Sequence, residues 1–250
     1  MSPGAVKLCR TQAFVTAIVL ACPLRAVPAR SPNDVDRSNR RQERSVRIDE
    51  HTKLLRWGVI AGPFYLALGI GQGLLREGFS FERHPLSVLA NGSWGWLQTA
   101  NFALSGAMVI AAVAGFRRVL APRPGAWTWF LFAYGAGMIL AAIFPADPVD
   151  GFPPGTPEGF PTSISATGLT HFIVGALTFT SIGISGLCAA WAMRRRSLPL
   201  AWLSLVSGLS VLGGFFGGIA LPIGVAGIWF AVVIGWVWLA VMSLAMSKRT

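Results

Sequence analysis

The chain has 250 residues, 53% of them hydrophobic and 12% charged, with a mean hydropathy of +0.58 and a net charge of +11. A water-soluble domain carries about 25% charged residues, so this composition excludes an ordinary soluble enzyme and points to lipid as the solvent. The bases lie in a tail and in short loops between apolar runs, not along one stripe, which excludes nucleic acid as a partner.

Residues 1–53 read as a basic, disordered cytoplasmic extension with too few apolar residues to fold. Lys7 and Arg10 precede an apolar run, Ala13 to Cys22, that looks like a secretory signal. About ten residues cannot cross a core that needs roughly 20, and export would put the bases from Arg25 to Arg56 outside. A start codon placed too early, with the natural one nearer Val46, is the other reading of this segment. Its arginines could also be drawn to anionic headgroups, at roughly 1 kcal/mol per base. The cysteines, Cys9, Cys22 and Cys188, are too scattered for a disulfide framework or a CxxC metal pair.

Residues 54–250 predict an all-α membrane protein, a bundle of six transmembrane helices. The spans fall at about 57–75, 97–116, 126–144, 169–191, 198–221 and 223–246. Pro63 is expected in the first turns of span one, where a missing N–H costs least. Leu198 to Met246 contains no charged residue and is too long for one helix; Leu221-Pro222-Ile223-Gly224 breaks it into a hairpin. Gly69 with Gly73, and Gly213-Gly214 with Gly217-Gly218, are small-residue faces expected to pack helices within the bundle.

Alternate connections carry the bases: the tail, Arg117, Arg118 and Arg123, then Arg194 to Arg196, then Lys248 and Arg249. The positive-inside rule then puts both termini in the cytoplasm and predicts a multi-pass protein of the plasma (inner) membrane. Trp57, Trp127, Trp129, Trp191 and Trp202 fall at the inner interface, Trp94 and Trp96 at the outer one, as aromatic belts do.

Polar content collects at the outer face. The long proline-rich loop between spans three and four, Phe144 to His171, carries Asp147, Asp150 and Glu158, no Lys or Arg, and Pro145, Pro148, Pro153, Pro154, Pro157 and Pro161. A loop of about 24 residues is unusual unless functional or disordered, and its prolines with Phe152 and Phe160 suggest a semi-rigid lid. The candidate rim site is Arg83, His84, Asp147, Asp150 and His171, supported by Ser87, Gln98, Asn101 and Thr162. Asp147 and His171 are expected side by side, with Arg83 or His84 completing the cluster. Asn101 and Ser105 are four apart and share a helix face. No metal is expected: His84, Asp147 and His171 have the donor types for zinc, but no HxxxH or HExxH spacing joins them. A salt bridge from Asp147 or Asp150 to Arg83 or Arg76 is the structural alternative, and a GxSxG elbow is lacking around Ser87 and Ser163.

With Arg83, His84, Pro85, Ser87 and Gln98, then Phe144, Asp147, Pro148, Gly151 and Pro153, then Thr162, Gly168 and His171, the sequence resembles the bacterial and archaeal membrane-protein family catalogued as domain of unknown function 998. The resemblance covers about residues 54–247. It implies a six-span integral membrane protein and brings no established activity or cofactor.

The functional expectation is a protein that sits in the lipid bilayer and binds a lipid, a small polar ligand or a partner at its outer rim. The alternatives are an outward-facing, metal-assisted hydrolase of lipid headgroups and a small-solute transporter. The last is disfavoured because no span carries a charge at mid-membrane.

Overall fold

The computed structural model describes residues 32–159 and 163–248, with side chains from residue 50 onward except His51. The chain divides into two compact units, Met1–Ser45 and Val46–Thr250. In the first, the described backbone is helical from Pro32.

The second unit is a six-helix membrane bundle. Its helices are the part from Val46 onward of α1 (Pro32–Leu75), then α2 (Gly95–Val119), α3 (Trp127–Ile143), α4 (Ala166–Met193), α5 (Leu198–Ala220) and α6 (Gly224–Ser247), and no strand occurs among the described residues. Among the described residues five segments are long and apolar enough to span: Thr52–Leu75 of α1, then α2, α4, α5 and α6. The sixth, α3, has 17 residues, about 25 Å at 1.5 Å per residue, so the extended chain at Phe144 completes its crossing.

Successive helices α2 to α6 pack as neighbours, and glycine contacts set α1 against α2 and α6. Gly115 of α2 meets Leu54 and Leu55 of α1, and Gly62 of α1 meets Trp236 of α6. Backbones touch where glycines face each other: a Cβ on Gly106 would stand 2.6 Å from the Gly135 carbonyl, and one on Gly214 2.8 Å from that of Gly227. The Gly214–Gly218 face thus packs α5 on α6 as expected. Gly69 and Gly73 instead receive loop side chains, Leu86 and the ring pair Phe79 and Phe81.

Two sequence expectations are corrected. Pro63 lies well inside α1, because the helix starts far upstream of Trp57; the carbonyl of Val59 therefore loses its helical donor. Trp127 is 1% exposed and packs on Phe116 and Trp238, so it belongs to the core and not to the interfacial belt. Trp57, Trp94, Trp96, Trp129, Trp191 and Trp202 are all exposed, as interface residues should be.

Candidate functional site

One end of the bundle, the rim end, gathers the 76–94 connection, the 144–165 loop and the α5–α6 turn. Arg76 follows directly on α1 and donates to the carbonyls of Leu89 and Asn91, at the end of a short 3-10 helix (Leu86–Ala90). Its guanidinium also lies 4.8 Å from the ring centre of Phe152. Desolvation pulls Arg76 below its ordinary value, and a guanidinium stays charged in proteins regardless. Asn91 ties the two loops together by donating to the Ala146 carbonyl at 3.0 Å.

The long loop turns at Val149–Phe152. Asp150 (φ 50°) and Gly151 (φ 84°) both take left-handed backbone, and Val149 and Phe152 exchange two hydrogen bonds of 3.0 Å. Asp-Gly is the favoured dipeptide for this two-residue turn. The turn aims Phe152, fully buried, between Phe79 and His84.

His84 is fully buried as well. The Ser80 N–H donates to its Nδ1 at 3.0 Å, so the proton sits on Nε2, which donates to the Asp150 carbonyl at 3.0 Å. The Asp150 carboxylate accepts the Gly159 N–H at 2.9 Å and faces Arg83 at 3.6 Å. Arg83, His84 and Asp150 thus form one clasp that fastens loop to loop. Both ring nitrogens of His84 are consumed in it.

Asp147 and His171 form a second group. Asp147 accepts from the Ser165 N–H at 2.8 Å and from the Ser165 hydroxyl, while that same oxygen caps α4 by accepting the Gly168 N–H at 2.9 Å. The carboxylate therefore sits over the positive end of α4, a favourable place for an anion. His171, five residues into α4, donates from Nδ1 to the Phe144 carbonyl at 2.7 Å. That leaves Nε2 a bare acceptor with no partner among the described residues.

Both residues line a cavity of about 400 Å³ that sequence reasoning did not foresee. Its walls are largely apolar: Phe102, Met138, Phe172, Phe179 and Phe215, with Trp236 of α6 in ring contact with both Tyr65 of α1 and Tyr134 of α3. Leu169, Phe172 and Ile219 line it yet are each about half exposed, which marks an opening at the bundle surface. Gly175 lines it too, and a Cβ there would meet nothing within 4 Å.

The supporting residues divide. Ser87 lines the cavity. Gln98 and Asn101 are fully buried in a chain across α1 and α2. Gln72 donates to the Gln98 carbonyl oxygen at 3.0 Å; Asn101 donates to the same oxygen at 3.2 Å and to the Tyr65 carbonyl at 3.0 Å; Ser105 donates to Asn101. Gln72, near the end of an apolar run, was the member the sequence did not single out. Thr162 lies outside the described residues. No group of three or more His, Cys, Asp or Glu side chains converges among the described residues.

Six apolar helices closed around buried amides, with polar loops massed at one end, define a multi-pass integral membrane protein. Residues 59–247 match the family described as protein of unknown function (DUF998), and the chain belongs to that family. No curated protein and no solved structure matches it.

Proposed function

We propose that the protein is a lipid-binding membrane protein whose ligand enters the cavity beneath Asp147 and His171 from the bilayer. The carrying observation is the cavity itself: about 400 Å³, walled by apolar and aromatic side chains, open at its side, with a bare imidazole acceptor near its mouth. That pairing of apolar volume with a few polar groups is the usual make-up of a site for an amphipathic molecule. The arginine bias of the connections at the opposite end supports a rim that faces outward across the plasma membrane. The hydrolase reading finds less support, because His84 is spent on backbone partners and Asp147 on Ser165.

The test is mass spectrometry of lipids retained by protein extracted in mild detergent, wild type against Gly175→Phe. A Cβ at Gly175 meets nothing within 4 Å and the residue lines the cavity, so the added ring is expected to occupy that space, and the variant should fold and lose the retained lipid. Equal lipid in both would refute the assignment to this cavity.

A further inference from the structure

Resting on that lipid-binding reading, we infer a headgroup preference: the cavity takes a lipid with an uncharged hydroxyl head and rejects those with a carboxylate or phosphate. The argument is one of charge and of hydrogen-bond sense. Among the residues that line the cavity there is no Lys or Arg, and the single formal charge is the anion of Asp147. The nearby cations are engaged elsewhere, Arg76 on two backbone carbonyls and the Phe152 ring, Arg83 on Asp150. An anionic head would therefore be drawn into low dielectric beside a like charge with no cation to neutralise it.

The open polar position at the mouth is an acceptor. Because Nδ1 of His171 gives its proton to the Phe144 carbonyl, Nε2 can only receive one. Thr178, a cavity-lining residue two turns along α4, spends its hydroxyl proton on the Val174 carbonyl at 2.6 Å. What Nε2 of His171 lacks is a donor, and a hydroxyl supplies one without carrying charge into the bilayer, while its oxygen remains an acceptor in a cavity whose Trp229 and Trp236 indole N–H groups are buried without partners. The chain behind it would lie against Phe172, Phe179 and Phe215, the last two stacked with ring centres 4.3 Å apart.

The experiment uses the full chain in maltoside micelles at pH 8 with two brominated probes of equal chain length, 9,10-dibromostearyl alcohol and 9,10-dibromostearate. Trp229 and Trp236 line the cavity, so bromine seated there quenches their fluorescence; the same titration on Gly175→Phe subtracts quenching of the remaining tryptophans. The alcohol should quench saturably and bind at least tenfold more tightly than the carboxylate. His171→Phe, which removes the acceptor and keeps an aromatic ring, should erase that preference, and His171→Gln, which restores an acceptor oxygen, should recover part of it. Carboxylate binding as tight as alcohol binding, or a preference unchanged in His171→Phe, would overturn the headgroup assignment while leaving the cavity as a lipid site. If neither probe quenches beyond the Gly175→Phe background, the lipid-binding reading itself falls.

Discussion

Gly168 and Asp147 occupy adjoining space with no room for one carbon more: a Cβ on Gly168 would stand 2.2 Å from Asp147 Oδ2 and 2.3 Å from its Cγ. The carboxylate has replaced a side chain on the first turn of α4. In an ordinary helix interior, Gly→Ala is favourable by up to about 1 kcal/mol. Here the sign should reverse. Gly168→Ala must expel Asp147 from the Ser165 cap, at a net loss of about 1–3 kcal/mol typical of overpacking. Thermal unfolding in micelles checks this, and the double variant Asp147→Ala/Gly168→Ala should regain part of the loss, since the Cβ then has space. A Gly168→Ala variant more stable than wild type would contradict the packing described.

Within the other clasp the backbone of Asp150 matters more than its ion pair. Its φ of 50° is tolerated by Asp, Asn and Gly but costs an alanine roughly 1–2 kcal/mol. Loss of the Gly159 hydrogen bond adds about 1 kcal/mol. Asp150→Ala should therefore lower stability by about 2–3 kcal/mol and Asp150→Asn by much less. Arg83, nearly half exposed and 3.6 Å away, should cost under about 0.5 kcal/mol as Arg83→Ala. Limited proteolysis between residues 153 and 165 reads the same ranking as loop opening.

The amide chain across α1 and α2 predicts strong coupling. Gln98→Leu strands the donors of Gln72 and Asn101 in an apolar bundle, where each lost bond averages about 0.6 and reaches about 1.7 kcal/mol. A loss of about 1–2 kcal/mol is expected. Gln72→Leu/Gln98→Leu should lose less than the sum of the two single changes, because removing both partners leaves fewer orphaned groups than removing one. Additive losses would show that the two amides do not act as a pair.

The helices were legible because lipid imposes a simple rule: about 20 uncharged residues in a row have few alternatives to spanning. The loop was legible only in part. Asp147 near His171 followed from their places at the ends of adjoining spans, and the pairing of Arg83 with Asp150 from a shortage of other partners. His84, expected with Arg83 as an alternative third member of the Asp147–His171 cluster, instead bonds the Asp150 carbonyl, because sequence does not say which backbone carbonyl a histidine will choose. The Asp150-Gly151 turn had a local signature that went unused, obscured by the surrounding prolines. The cavity had none. It is made where Phe172, Phe215 and Trp236 from three helices fail to meet, and periodicity reports which faces are apolar without saying how far apart they stand.

The direction of the bundle in the bilayer is the last matter to test, and two exposed positions at opposite ends suffice. Glu158 lies in the long loop at the rim end, and Arg123 in the α2–α3 connection at the other. The arginine bias of the connections predicts Glu158 outside and Arg123 in the cytoplasm. In intact cells, Glu158→Cys should react with a membrane-impermeant maleimide, and Arg123→Cys only after permeabilisation. Both substitutions leave the helices and clasps alone, and the native cysteines Cys9, Cys22 and Cys188 are replaced by alanine in both backgrounds. Labelling of Arg123→Cys from outside would reverse the bundle, and the proposed lipid site beneath Asp147 would then draw on the cytoplasmic leaflet.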